Sequence, residues 1–224
     1  MSRRSRLALL AAGCLAVGPV PSHASEGPGP AEPLYELPAA GSYALPPIDR
    51  VTEHVLLGSD GREAPLLGLG PGRFAIVAFI YLSCHDAAGC PLLLASLQET
   101  DRRLAASPEL RGRVRLVTVS FDPSRDGPAE MANLRSALAP RGDWRFFTSR
   151  DDVALRRVLE DFDQDAVRDL TREGTGESAL RHVAKVFLVD GEGRIRNVYG
   201  SGFLDAQILV RDLETLLGEH SPAR

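Results

Sequence analysis

The sequence has few cysteines, no extended basic segment and no long apolar segment beyond its first two dozen residues. Three cysteines among 224 residues are too few for a disulfide-rich scaffold. After residue 24 no apolar run approaches the roughly 20 residues that a bilayer-spanning helix needs, so no membrane span is predicted in the mature form. The net charge is -4 and the basic residues form no continuous stripe. Neither nucleic acid nor an anionic membrane surface is therefore predicted as a partner.

Residues 1–24 are predicted to be an export signal peptide. Three arginines near the start precede a mostly apolar segment, residues 7–20, and a small-residue cleavage site ends at Ala24. We therefore expect an exported protein, in the periplasm or at the outer face of the cytoplasmic membrane. A retained signal, or a lipid anchor on Cys14, is the alternative to simple cleavage.

Two further segments follow the signal. Residues 25–47 are rich in Gly, Pro, Ala and Ser without periodicity, which predicts a flexible tether. Residues 48–220 carry the periodic apolar patterns, and a mature chain of roughly 200 residues is long enough to bury one good core. We therefore predict a single folded domain over residues 48–220.

Two cysteines follow the most apolar stretch of this domain. Residues 74–82 are all apolar or aromatic, which predicts a strand buried on both faces. Cys84 and Cys90 then lie in a short loop, and Pro91 suits the first position of a helix because proline lacks the N–H that would have no partner there. Cys90 is therefore predicted near the helix N-cap. A strand, a cysteine-containing loop and a helix in this order are typical of a thioredoxin-like domain.

The remaining patterns complete such a domain. A hairpin is predicted at residues 54–69 around an Asp-Gly turn, ahead of the main sheet. Residues 163–178 predict a loop or a short hairpin. Strands are predicted at residues 114–121, 144–148, 183–189 and 195–199, and helices at residues 129–138, 152–162 and 205–217. The predicted fold class is α/β: a thioredoxin-like fold with a central mixed β-sheet flanked by helices and an N-terminal β-hairpin.

Two more residues join the cysteines as candidates for a site. In an open α/β sheet, ligands collect beyond the carboxyl ends of the strands, which is where Cys84 and Asp122 are expected. Asp122 either faces the thiols or caps the turn before Pro123. His182 directly precedes the strand predicted at residues 183–189, which in a thioredoxin-like fold begins beside the cysteine loop. Two thiolates and an imidazole form a soft ligand set suited to cuprous copper and tolerated by cupric copper.

These residues resemble the Sco/SenC family of copper-binding thioredoxin-like proteins, which help to assemble the dinuclear copper centre of cytochrome c oxidase. The resemblance covers about residues 43–217. It rests on the strand leading to Cys84, on Cys90-Pro91, on residues 120–126 (SFDPSRD) and on His182 before a strand ending in Asp-Gly-Glu-Gly.

The resemblance implies a ligand set and partners. Cys84, Cys90 and His182 are the implied ligands of one copper ion per chain, Cu+ or Cu2+, with Asp122 nearby. The implied partners are a cuproenzyme subunit, such as a cytochrome oxidase copper-centre domain, and other copper chaperones or thiol reductants.

The loop between the cysteines departs from the commonest family pattern. Five residues separate Cys84 from Cys90, where the commonest form has three, and His85 replaces a proline. His85 is either an additional copper ligand or a solvent-facing loop residue. A purely structural disulfide between the two cysteines is a further interpretation, but closing so short a loop removes little entropy from the unfolded chain.

A thiol–disulfide oxidoreductase or redox sensor is the competing interpretation, with Cys84 as the attacking thiol and Cys90 as the resolving thiol. Against it, the sequence has no Cys-x-x-Cys motif, and Arg181-His182 stands where such enzymes place a cis-proline. A peroxidase site would need Thr or Ser at the position of Tyr81. We therefore favour a metallochaperone over an enzyme.

Overall fold

The computed structural model describes residues 36–84, 89–164, 166–169, 179–182 and 184–219; for residues 166–169, 179–182 and 201 it describes the backbone alone. The predicted signal peptide, Cys14 and the first part of the predicted tether lie outside the described residues.

An eight-stranded mixed sheet forms the centre of the domain, and a two-stranded hairpin is separate from it. The order across the large sheet is β1-β10-β9-β4-β5-β6-β2-β3, and β7 pairs with β8 alone. The strands are β1 (Asp49–Arg50), β2 (Val55–Gly58), β3 (Glu63–Pro65), β4 (Phe74–Ile80), β5 (Val114–Ser120), β6 (Asp143–Thr148), β7 (Ala166–Asp169), β8 (Ala179–His182), β9 (Lys185–Asp190) and β10 (Arg194–Gly200).

Four helices flank the large sheet. Helices α1 and α4 contact each other, and α2 contacts β6. None of the described helices has the length and apolar character that crossing a bilayer requires. The helices are α1 (Cys90–Ala106), α2 (Pro128–Leu138), α3 (Asp152–Asp161) and α4 (Ala206–Glu219), and a short 3-10 helix, Ser201–Phe203, precedes α4.

Strands β4 and β5 lie in the middle of the sheet, and every one of their residues is buried. Strand β4 pairs in parallel with β5 and antiparallel with β9, and β5 pairs in parallel with β6. The ends of β4, β5 and β6 therefore lie together. We call the end defined by Ile80, Ser120 and Thr148 the carboxyl edge, and the end defined by Phe74, Val114 and Asp143 the amino edge.

The predicted fold class is confirmed, with differences in detail. The N-terminal hairpin β2–β3 does not stand ahead of the main sheet but joins it, because Leu57 of β2 pairs with Thr148 of β6. The polar segment predicted as a loop or short hairpin contributes the hairpin β7–β8, in which Ala166 pairs with His182.

Three phenylalanines tie the centre of the sheet to the base of this hairpin. Phe79 of β4, Phe162 after α3 and Phe187 of β9 pack edge to face, with ring centroids 5.1 to 6.1 Å apart. All three are almost fully buried. The strand that leads to Cys84 and the two segments on either side of β7–β8 therefore share one packed cluster.

Residues 37–47, the last part of the predicted tether, belong to the same compact unit as the sheet and the helices. The Tyr43 hydroxyl donates to Asp212 Oδ1 of α4 (2.5 Å), and the Leu45 carbonyl accepts from Arg196 Nε of β10 (2.6 Å). These bonds hold the last part of the predicted tether against α4 and β10.

Candidate metal centre

The two cysteines of the domain lie on either side of the loop that follows β4. The Cys84 N–H donates to the Tyr81 carbonyl (3.3 Å), so Cys84 sits in a turn just beyond the carboxyl edge. Cys90 is the first residue of α1, between the N-cap Gly89 and Pro91 in the first turn. The predicted position of Cys90 at the helix N-terminus is confirmed. Cys90 is buried and Cys84 is half-buried.

The side chains of Cys84 and Cys90 contact each other. They share a hydrogen bond, and both are present as thiols. Burial, followed by the contact with Cys84, raises the pKa of the Cys90 thiol to about 12, against the opposing effect of a hydrogen bond with the Tyr81 backbone. Cys90 is therefore protonated at neutral pH in the metal-free protein. The thiolate is the form that attacks or binds a metal, so a cation must displace the Cys90 proton.

Asp122 follows β5 and lies beside the end of β4. The Phe121 N–H donates to the Ile80 carbonyl (2.9 Å), which holds the two strand ends together. The Asp122 side chain is 1% exposed, and its Oδ1 accepts from Ser124 Oγ (2.6 Å). This is the bond expected of a carboxylate that stabilises the turn after β5. A role for Asp122 facing the thiols stays a prediction.

Asp126 is a buried residue near the site that the sequence pattern does not reveal. Its Oδ2 accepts from the Leu82 N–H (2.9 Å) and from Ser120 Oγ (2.6 Å). Burial raises the pKa of Asp126, although these two hydrogen bonds oppose the shift. Leu82 lies between β4 and Cys84, so Asp126 holds the turn that carries Cys84. The only sequence signal is its place at the end of residues 120–126.

Asp126→Ala is expected to lower the free energy of unfolding by about 1–3 kcal/mol, because it leaves the buried Ser120 hydroxyl and the Leu82 N–H without their acceptor. Asp126→Asn keeps an oxygen acceptor and should lose much less. Urea denaturation of both variants measures the difference.

The pH dependence provides a check on the Asp126 prediction. Because the folded-state pKa of Asp126 is raised, the native state takes up the proton before the unfolded state does as the pH falls. The wild type should therefore gain stability relative to Asp126→Asn on acidification through that range. Equal stability of the Ala and Asn variants at neutral pH would show that Asp126 does not hold the turn.

Of the two histidines predicted near the site, His182 and His85, the structure describes only the backbone of His182. His182 is the last residue of β8, and its backbone pairs with Ala166; its side chain lies outside the described part of the structure. His85 lies outside the described residues. No group of three His, Cys, Asp or Glu side chains within the described part of the chain could hold a metal ion, and the imidazoles of His85 and His182 are not in that part.

The hairpin that carries His182 is anchored at its base. Lys185 Nζ, at the start of β9, donates to the Asp163 carbonyl (2.6 Å), and it lies 3.7 Å from Asp163 Oδ2. Strand β9 is antiparallel to β4, with Val186 opposite Ala78, so β9 begins at the end of the sheet where β4 finishes. The backbone topology therefore brings the segment after His182 to the carboxyl edge.

Comparison with known families decides the classification. The sequence profile of the SCO1/SenC family matches residues 69–218, which is more than half of the chain and includes both cysteines and His182. The chain belongs to the SCO1/SenC family. A comparison with curated protein sequences finds no match.

Solved structures of Sco proteins share the fold of this SCO1/SenC chain. Copper-bound ScoI of Arabidopsis thaliana is 18% identical and matches over 75% of this chain and 98% of its own, with a TM-score of 0.64. Apo Sco1 of Thermus thermophilus is 27% identical over 79% of this chain and 95% of its own (TM-score 0.63). BsSco, described as a Sco family cytochrome c oxidase assembly protein with a disulfide switch, is 20% identical over 78% and 97% (TM-score 0.61). The thioredoxin-like fold is thereby confirmed.

Proposed function

We propose that this protein is an exported copper-binding metallochaperone that delivers copper to, or prepares, the copper site of a cytochrome oxidase or a similar cuproenzyme. The observation that carries the proposal is the contact between the Cys84 and Cys90 thiols at the carboxyl edge of a SCO1/SenC domain. Thiolates are soft ligands, and cuprous copper is a soft ion. The copper-bound Sco structure of Arabidopsis thaliana supports the choice of metal.

Cys84, Cys90 and His182 are the proposed ligands of one copper ion per chain. The turn after β4 supplies Cys84, and the first turn of α1 supplies Cys90. The helix N-terminus favours negative charge, so it stabilises the thiolate that Cys90 becomes when copper replaces its proton. His182 is proposed as the third ligand because β8 leads directly to the start of β9 at the same edge. Asp122 and His85 are the proposed neighbours of this set.

Because copper is proposed as a cargo that is received and passed on, the protein needs partners for each step. A donor must load the thiols, and a cuproenzyme domain must take the ion from them. A thiol reductant must also keep Cys84 and Cys90 reduced, because thiols outside the cytosol are readily oxidised. The predicted export signal places these exchanges in the periplasm or at the outer face of the cytoplasmic membrane.

Reduced protein is expected to bind one copper ion per chain, whereas protein with a Cys84–Cys90 disulfide should retain almost none, because a disulfide offers no thiolate. The test is anaerobic loading with cuprous ion, desalting and metal analysis, with the disulfide state checked by mass spectrometry. The full chain is used in a Cys14→Ser background, so that the third cysteine neither binds metal nor exchanges disulfides. Equal copper retention in the two redox states would refute the proposal.

A further inference from the structure

Arginines that are far apart in the sequence form a row along the amino edge of the sheet. Arg73 and Arg113 directly precede β4 and β5, and Arg141 lies just before β6. The strand register aligns the first residues of β4, β5 and β6, and neighbouring strands lie about 4.8 Å apart. The three arginines are therefore neighbours in space. Arg111 lies in the turn that leads to Arg113. We call these four residues the arginine edge: Arg73, Arg111, Arg113 and Arg141.

The charge of the arginine edge is largely uncompensated. Asp143 accepts from Arg115 Nε (2.8 Å) and Arg145 Nε (3.1 Å), and it lies 3.9 Å from Arg73. Asp101 is buried and accepts from the backbone N–H groups of residues 141 and 142 (2.7 and 2.9 Å), so its negative charge offsets one of the four positive charges of the row.

The exposed members of the row have no carboxylate of their own. Arg111 donates to the neutral carbonyl of Ala105. The side chains of Arg113 and Arg141 form no ion pair with any residue that the structure describes, and both are exposed. A protein with a net charge of -4 thus presents a local positive surface at this edge.

An apolar recess adjoins the arginine edge. A cavity of about 190 Å³ is lined by Leu104, Leu110, Val114 and Leu116, by Arg111 and Arg141, and also by Asp101 and Asp143. Guanidinium groups bind phosphate oxygens in a fork of two hydrogen bonds. An apolar wall behind such groups suits an amphiphilic anion. No aromatic side chain lines the cavity, so it offers no platform on which a nucleic-acid base could stack.

We propose that the arginine edge docks on a membrane surface that contains anionic phospholipids. The guanidinium groups would contact lipid phosphates, and the recess would take an apolar part of the lipid. The predicted export signal brings the chain to a membrane, which favours lipid over an acidic protein. This inference does not depend on copper. Strand β4 has 7 residues at about 3.3 Å each, so docking would hold the thiols about 20 Å from the lipid surface.

Vesicle co-sedimentation of the full chain tests the proposal. The vesicles contain phosphatidylcholine alone or with added phosphatidylglycerol, and the key variant is Arg113→Glu/Arg141→Glu. The control variant, Arg156→Glu/Arg157→Glu, makes the same charge change on exposed residues of α3. The wild type and the control should bind the phosphatidylglycerol vesicles, and the edge variant should bind at least about tenfold more weakly. Binding should also weaken as salt is added.

Several results would overturn the proposal. One is equal binding of the wild type to both kinds of vesicle, and another is an equal loss of binding in the edge variant and the control variant. A third is a loss of binding in the edge variant while the milder Arg113→Gln/Arg141→Gln binds as well as the wild type. Unchanged vesicle binding with lost retention on immobilised polyglutamate would favour an acidic protein partner instead. The apolar N-terminal segment and its three arginines bind vesicles themselves, but they are present in every form and add the same background to each, so the edge is assessed from the difference between variants.

The orientation has its own readout. In a Cys14→Ser background, a maleimide reagent should label Cys84 at the same rate with and without phosphatidylglycerol vesicles, because the thiols lie at the opposite edge. Protection of Cys84 by the vesicles would overturn the orientation.

Discussion

Cys84→Ser and Cys90→Ser should each weaken copper binding at least about a hundredfold. Loss of a group that only supports a metal ligand typically costs 10- to 100-fold in affinity, and loss of the ligand itself costs more. Serine keeps the size of the side chain but replaces soft sulfur with hard oxygen, which cuprous copper binds poorly. Competition against a cuprous chelator measures the affinities. Because the two thiols contact each other, the double variant should lose little more than either single one.

Cys14→Ser provides the matched control for these two variants. It removes a thiol that lies within the predicted signal peptide, so it should leave copper affinity unchanged. If Cys14→Ser were as damaging as the other two, or if both Cys84→Ser and Cys90→Ser bound copper normally, the proposed site would be wrong.

His182→Ala should separate the chaperone from the oxidoreductase. If His182 is a copper ligand, its loss lowers copper affinity by at least about tenfold and alters the cupric–thiolate absorption band, because the ligand set determines that spectrum. A dithiol enzyme needs only its sulfurs. In that case His182→Ala would retain disulfide reduction, whereas Cys84→Ala would abolish it.

The cellular effect of His182→Ala should match that of Cys84→Ala. Both should lower oxidase activity, and added copper should partly restore it. His54→Gln serves as the histidine control, because the His54 ring binds Asp161 (2.8 Å) and glutamine can keep a hydrogen bond there. Defects confined to disulfide-dependent proteins, seen only in the cysteine variants, would favour the enzyme interpretation.

The elements that could be predicted are those that a short stretch of neighbouring residues specifies. The continuous apolar run of residues 74–82 predicts a strand buried on both faces, and β4 is such a strand. Pro91 predicts the start of a helix, and α1 begins at Cys90. The Asp-Gly signals likewise predict the turns between β2 and β3 and between β9 and β10. In each case the information lies within a few neighbouring residues.

The features that could not be predicted depend on partners far away in the chain. The bond of Asp126 to Leu82 spans 44 residues, and that of Tyr43 to Asp212 spans 169. Hydrophobic periodicity reports whether a position is buried but not which group it meets. The arginine edge cannot be predicted from the sequence for the same reason, since only parallel strand pairing brings its members together. For residues 163–178 the sequence predicts either a loop or a short hairpin, and because the segment has no period it does not determine the pairing of β7 with β8.

The attachment of residues 37–47 to α4 and β10 determines how mechanical force would pass through the molecule. A pull on the upstream chain would be borne first by the bond of Gly41 to Thr215, and then by those of Tyr43 to Asp212 and of Leu45 to Arg196. These bonds end on α4 and β10, and β9 stands between β10 and β4. Tension between an anchored N-terminus and a docked partner would therefore load α4 and β10 before it reached β4, the strand that leads to Cys84.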